Sequence, residues 1–435
     1  MSFWNHIISV FKRKELSEQR RGLLTSIMEG IPAVIIANLL GGPILTIYIV
    51  YLGGTASDVG LVMAIPALAN LVQLVAAFYM QKFTNRRLLL TIFGVLHRTF
   101  WVSTGLIPFL VPEHLRVGVF IGLFLMSFIS ASTSSVFWTS LVADMVPPQV
   151  RGRYFGIRNT IHWAVGSIVL LAGGQILEQL NDQTGFIILY AISAACTIWN
   201  GMELWRYPNP PFQKSEASSS AALFLKPLSD RGFMKATLFI ALYILLQNIA
   251  IPLFSYVMLE TLHISKWMIT LITTVQMIVT MFSYYYWGNL NTKYDARTLL
   301  LWALPIIASS CVLWVGIEII PVILVLVLVN IVLGFGLGGY NLLVFNFIIG
   351  DTPKSDRPMY VALFAALTGI TGFIGPLLGG WIYKQIEDSP YWLQSYGISL
   401  FVGAALLVLA LTIGPLVLRD HSRNSQIEAA EQFEA

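Results

Sequence analysis

Asp144-Met-Val-Pro-Pro-Gln-Val-Arg-Gly-Arg-Tyr-Phe-Gly156 is the stretch that decides the fold, because the chain carries a second copy of it. Asp144, Pro147, Arg151 and Tyr154 return as Asp351, Pro353, Arg357 and Tyr360, at an offset of 206 or 207 positions. The glycines beyond it follow suit: Gly166, Gly173 and Gly174 return as Gly372, Gly379 and Gly380. A basic loop upstream repeats as well, Lys82 and Arg86 against Lys293 and Arg297, 211 positions apart. Two largely apolar halves with matching loops read as an internal repeat of the kind secondary transporters carry.

Composition agrees. The chain has 435 residues, 56% hydrophobic and only 11% charged, where a soluble domain carries about 25% charged residues. Mean hydropathy is +0.74, and runs of about 20 apolar residues recur along the chain. The net charge of +4 gives no reason to expect nucleic acid, since its distribution over loops explains it. Cys196 and Cys311 both fall inside apolar runs, so neither a disulfide framework nor a metal site is expected, and no cofactor is implied. The first apolar stretch, from about Leu23, is too long for the h-region of a cleaved leader and reads as the first span.

Twelve helical spans are expected, near 23–51, 60–80, 88–110, 117–143, 154–177, 185–205, 233–258, 267–288, 298–318, 322–349, 359–383 and 393–418. Helices are required because hydrocarbon cannot satisfy free backbone N–H and C=O groups. With the N-terminus inside, 21 of the 26 Lys and Arg residues fall on cytoplasmic segments and only Arg116, Lys266 and Lys384 outside. That asymmetry predicts both termini cytoplasmic, and a multi-pass protein of the cell membrane is expected. Residues 1–22 form a cytoplasmic segment in which Phe3, Ile7 and Phe11 share a helical face, an interfacial helix. Residues 23–206 form a first six-helix bundle. A Pro- and Ser-rich linker over 207–230 leads to a second bundle over 231–418 and a tail over 419–435.

At these loops the chain resembles the major facilitator superfamily. The Asp144–Gly156 segment is similar to that family's loop between helices 4 and 5. Gly288-Asn-Leu-Asn-Thr-Lys-Tyr-Asp-Ala-Arg297 is similar to its loop after helix 8, Lys82-Phe-Thr-Asn-Arg86 is a weaker copy after helix 2, and Gly375-Pro376 with Gly379-Gly380 resembles the glycine-proline run of helices 5 and 11. The resemblance implies an all-α fold of two pseudo-symmetric six-helix bundles around a central cavity, alternating between inward-open and outward-open states. It also implies a cytoplasmic gate built from Asp144, Arg151, Arg153, Lys293, Arg297, Asp351 and Arg357. The family's loop aspartate is replaced by Gln81 and Thr292, the fourth span has no arginine, and the fifth has the glycines without the proline. These departures argue against the common multidrug antiporter type.

Ionisable residues inside spans are functional candidates by default, because a charge there is expensive unless paired or wet. Glu29 lies eight residues past Arg21, or ~12 Å along a helix, and Arg98 lies eleven past Arg87, or ~16 Å. Arg158 and His162, spaced i, i+4, share a face of the fifth span. Glu29 is the candidate proton carrier, or else half of a static ion pair; Arg98 is its partner or an anion-binding group. Arg158 either joins them or snorkels to the cytoplasm. Glu203 and Arg206 read as a pair at a helix end. Ser127, Ser130, Ser132, Thr133, Ser134 and Ser135 of the fourth span either pack helices or wall a polar cavity. Asn341, after the glycines of the tenth span, is a further substrate-binding candidate.

The sequence therefore predicts a secondary active transporter of a small organic solute, coupled to protons, embedded in the bilayer and working as a monomer. The competing readings are a lipid or lipophilic-drug exporter or flippase, and a non-transporting sensor on the same scaffold. No nucleophile elbow, phosphate-binding loop or His/Cys/Asp cluster supports an enzyme.

Overall fold

The computed structural model describes residues 18–73, 76, 85–145, 151–209, 228–291, 293–350 and 357–418, and these are mainly helical with no strand among them. The first half contains α1 (Glu18–Leu40), α2 (Gly42–Tyr51), α3 (Ala56–Ala69), α4 (Arg86–Ser103), α5 (Arg116–Met145), α6 (Arg151–Gln179) and α7 (Asp182–Trp205). The second contains α8 (Arg231–Ala250), α9 (Lys266–Leu290), α10 (Ala296–Val312), α11 (Val322–Gly350), α12 (Arg357–Gln385) and α13 (Ile398–Val408). Among the described residues eleven helical stretches are long and apolar enough to cross a membrane, with α2 and α3 shorter apolar pieces beside them. Twelve spans in two six-helix sets account for this pattern.

Helix ends sit where the sequence supplies caps. Asn85, Asn181, Asp230 and Asp295 each accept a hydrogen bond from the backbone N–H three residues on, which satisfies one of the orphan donors of a first turn. The first expected span is not one straight helix. It breaks at Gly41-Gly42-Pro43, where Gly42 takes φ +55° and Pro43 opens α2 with no N–H to offer, the arrangement these two residue types favour. The second expected span, 60–80, starts earlier, with α3 from Ala56, and is interrupted after Ala69 by a turn at Asn70 and Leu71 before helix resumes at Val72 and Gln73; residues 74, 75 and 77–84 lie outside the described residues.

The chain forms two compact units. One comprises residues 1–53 and 69–216; the other comprises 54–68 and 217–435. Residues 54–68, counted with the first half in the sequence reading, thus pack with the second. The seat is a glycine contact. A Cβ on Gly380 would lie 2.7 Å from Ala56 O and 3.0 Å from Gly60 Cα, so α3 and α12 meet backbone to backbone, a mode that small residues permit in membrane helices.

The sequence repeat reappears as repeated packing inside each unit. Tyr154 Oη donates to Leu23 O at 3.0 Å, tying the start of α6 to α1. Its counterpart Tyr360 donates to Asp230 Oδ2 at 3.3 Å, tying the start of α12 to the cap of α8. Farther along, Gly173 accepts Ile44 and Leu39 side chains against α6, and Gly379 lets Ile249 and Leu253 close on α12. The outward faces are apolar: Leu110, Ile168, Phe282, Ile319 and Leu416 are all more than half exposed, as a lipid-facing surface requires.

Candidate functional site

The first unit holds a cavity of about 440 Å³ lined, among others, by Glu29, His97, Arg98, Trp138, Arg158 and His162. That volume lies in the range of small-molecule sites. Glu29 faces it from the middle of α1, only 5% exposed. Arg98 comes from α4, Trp138 from α5, and Arg158 and His162 from successive turns of α6. Four of the residues singled out in the sequence are therefore brought together on one cavity. Asn341 is not among its lining residues; it lies exposed on α11 of the second unit.

The carboxylate of Glu29 is held from three sides. Arg98 Nη2 donates to Oε1 at 3.4 Å. Asn200 Nδ2 of α7 donates to the same oxygen at 3.1 Å and to Glu29 O at 2.8 Å. Tyr207 Oη donates to Oε2 at 3.5 Å and in turn accepts a hydrogen bond from Trp138 Nε1 at 3.1 Å. Tyr207 lies beyond the end of α7, where burial, and then the charge of Glu29, hold its phenol well above the usual tyrosine range. It is thus a neutral donor to Glu29 at physiological pH. Asn200 and Tyr207 escaped the sequence reading. Asn200 carried a usable signal, as a lone amide within the sixth apolar span; Tyr207 stood in what read as linker.

Arg158 does not reach Glu29. Its Nε donates to Ser26 O at 3.3 Å, and its guanidinium lies 4.9 Å over the Trp138 ring, a cation–π arrangement. His162 Nε2 donates to Ile27 O at 3.1 Å, so the ring is a hydrogen-bonded helix residue that also lines the cavity. Its seat depends on Gly30: a Cβ there would collide with the imidazole. His97 Nδ1 donates to Ser127 O at 3.0 Å. The hydroxyl-rich fourth span divides its duties. Ser127 and Ser130 are occupied with His97 and with their own helix, whereas Ser134 and Ser135 line the cavity beside Trp138.

The repeated loop residues also have defined places. Arg86 is wholly buried and donates from Nη1 to Ser140 Oγ at 2.7 Å. Arg297, nearly as buried, lies 5.0 Å over Phe347. Ser140 and Phe347 stand 207 positions apart, so each arginine braces the same helix end in its own unit. Lys293 is exposed. The side chains of Asp144, Arg151, Arg153 and Arg357, and all of Asp351 and Lys82, lie outside the described residues, as do the segment Phe3–Phe11 and residues 210–227 of the linker.

The model of the major facilitator superfamily matches residues 30–247 and, in a second copy, 236–434. The chain belongs to the major facilitator superfamily. Superfamily transporters are also what it resembles in three dimensions. A bacterial homologue of the human lysosomal transporter Spinster, solved inward-facing and unoccupied, superposes with a TM-score of 0.70 at 13% identity, covering 92% of this chain and 97% of that one. The D-xylose-proton symporter gives 0.69 at 15%, covering 89% and 96%. The nucleoside transporter NupG gives 0.65 at 13%, covering 93% and 100%. No curated protein matches the chain in sequence. As a superfamily member the protein is a multi-pass membrane transporter with its duplicated halves in the order the loop motifs indicate.

Proposed function

We propose that this protein is a proton-coupled secondary transporter that moves a small organic solute by alternating access, with Glu29 as the proton carrier. One observation carries the reading: a single carboxylate, buried mid-span, is held by Arg98, Asn200 and Tyr207 at the wall of a small-molecule-sized cavity. Such a group can load a proton when the cavity is wet from one side and release it when wet from the other. Its neighbours then decide which form is favoured. The likeness to a D-xylose-proton symporter and to a nucleoside transporter supports a small polar solute over a lipid. The Lys and Arg asymmetry supports an orientation with both termini cytoplasmic, as expected of a carrier of the plasma membrane. The nearest competitor in chemistry, a static Glu29–Arg98 strut, explains the pair but not its place on a cavity.

The test is solute flux driven by an imposed pH gradient in vesicles. Glu29→Gln keeps the shape and the Asn200 contact while removing the titratable group, and is expected to abolish coupled flux with insertion intact. Unchanged pH-driven flux in that variant would sink the proton-carrier role.

A further inference from the structure

The same cavity indicates the charge of its solute, an inference that rests on the reading of Glu29 given above. Its lining carries one carboxylate, Glu29, against two guanidinium groups, Arg98 and Arg158. The histidines add hydrogen-bonding capacity but are engaged with backbone: His97 with Ser127 O and His162 with Ile27 O. One positive charge is therefore in surplus.

That surplus comes with unused donors. Arg158 spends Nε on Ser26 O and its face on Trp138, but its two terminal nitrogens make no hydrogen bond or ion pair among the described residues. Arg98 spends Nη1 on Gly94 O at 2.9 Å, and its Nε is buried with no partner. Its contact with Glu29, at 3.4 Å, is longer than the 2.7–2.9 Å of a strong charged hydrogen bond. Arg158, with both terminal nitrogens unengaged, and Arg98, whose Nη2 is held only loosely by Glu29, together form a receptor for a carboxylate. In the empty site, before Glu29 takes a proton, the surplus of one charge matches an incoming singly charged acid better than a doubly charged phosphate monoester.

We propose that the transported solute is a small carboxylic acid whose carboxylate binds the terminal nitrogens of Arg158 and competes with Glu29 for Arg98. The groups around Glu29 are its partners Arg98 from α4, Asn200 from α7 and Tyr207 after it, Trp138 from α5 with Arg158 and His162 from α6 on the same cavity, and Tyr154 at the start of α6. Glu203, one turn beyond Asn200, is occupied by Arg206 at 2.7 Å. When the solute's carboxylate takes Arg98 and covers the Arg158 guanidinium, Glu29 retains as hydrogen-bond partners only the neutral Asn200 and Tyr207 and binds a proton from water. The charges balance: one anion and one proton enter together, so the loaded site carries the charge of the empty one.

Thermal unfolding of the purified full-length protein in detergent tests this. The probes are benzoate, phenyl phosphate, neutral benzamide and cationic benzylamine. A ligand that binds only the folded protein raises its stability as RT ln(1 + [L]/Kd). Benzoate is expected to stabilise the wild type, more in acidic than in alkaline buffer, with the other three weaker. Arg158→Gln should lose the effect. Glu29→Gln, which removes the competing carboxylate, should bind benzoate about tenfold more tightly, equivalent to ~1.4 kcal/mol, and without pH dependence. Equal protection by benzamide or benzylamine, stronger protection by phenyl phosphate, inert benzoate, or an undiminished effect in Arg158→Gln would each overturn the proposal. Should Glu29→Gln fold poorly, the probe series and Arg158→Gln still decide. The two readings fail separately. Benzoate protection alongside pH-driven flux that survives Glu29→Gln leaves the anion site standing and removes the proton carrier. Inert benzoate alongside Glu29-dependent flux does the reverse.

Discussion

The Arg98 guanidinium and the Glu29 carboxylate lie 3.4 Å apart across 69 positions of sequence, each side chain nearly shielded from solvent. An ion pair in such surroundings gains Coulomb energy but sacrifices the hydration of both ions, so its net contribution to stability is small. What the pair does provide is a carboxylate whose partner can be exchanged, poised at the edge of a cavity.

Replacing one member leaves the other buried and unpaired, at a cost of about 3–5 kcal/mol, whereas replacing both by apolar residues is often close to neutral. Arg98→Leu and Glu29→Leu should each lower the thermal midpoint markedly. The double variant should recover most of that stability while remaining inactive in transport. A double variant as unstable as the sum of the singles would show that the two charges do not interact.

Gly30 and His162 are matched in shape. The methyl of Gly30→Ala would occupy space taken by the imidazole, and overpacking of this sort costs ~1–3 kcal/mol. Unfolding measurements should show that loss, and His162→Ala in the same chain should relieve it. Full stability of Gly30→Ala with His162 intact would mean that the ring is not seated on Gly30.

The α3–α12 contact is backbone against backbone at Gly60 and Gly380, so it has no flexible side chain to give way. Gly60→Leu or Gly380→Leu should destabilise the protein by at least the same ~1–3 kcal/mol. Gly118→Ala and Gly122→Ala, whose added Cβ would meet nothing within 4 Å, serve as controls and should melt like the wild type. Indistinguishable melting of all four variants would rule out the close approach.

Tyr154 and Tyr360 make equivalent bonds in the two units, one to a carbonyl and one to a carboxylate. Phe substitution should cost about 0.5–1.5 kcal/mol at Tyr154 and about 1.5–3 kcal/mol at Tyr360, following the usual difference between neutral and charged acceptors. Equal losses would argue that Asp230 is not the acceptor.

Much of the architecture was legible because duplication and hydropathy are both one-dimensional signals. The repeated Asp-Pro-Arg-Tyr loop gave the two halves, and its tyrosines recur as matching tethers. Glu29, Arg98, Arg158 and His162 were legible as intramembrane polar groups, since apolar surroundings make such residues conspicuous. Their convergence on one cavity was not, because it depends on which faces of α1, α4 and α6 meet. The break at Gly41-Gly42-Pro43 was hidden by unbroken hydropathy on both sides. The partnership of residues 54–68 with the second unit was hidden as well, since only packing distinguishes Gly60 from any other glycine. Asn341 attracted attention through its glycine-rich helix; it lies exposed on α11 of the second unit and is not among the lining residues of the first unit's cavity. Tyr285, 77% exposed, and Trp287, buried with Nε1 donating to Phe335 O at 3.1 Å, show neighbouring aromatics of one run serving opposite faces.

The most direct test of the central claim is proton entry into vesicles that contain the purified protein and a trapped pH indicator, upon addition of candidate solutes from outside. The account predicts that a transported solute acidifies the lumen of wild-type vesicles and leaves Glu29→Gln vesicles unchanged. Solute accumulation with no acidification, or equal acidification with Glu29→Gln, would contradict it.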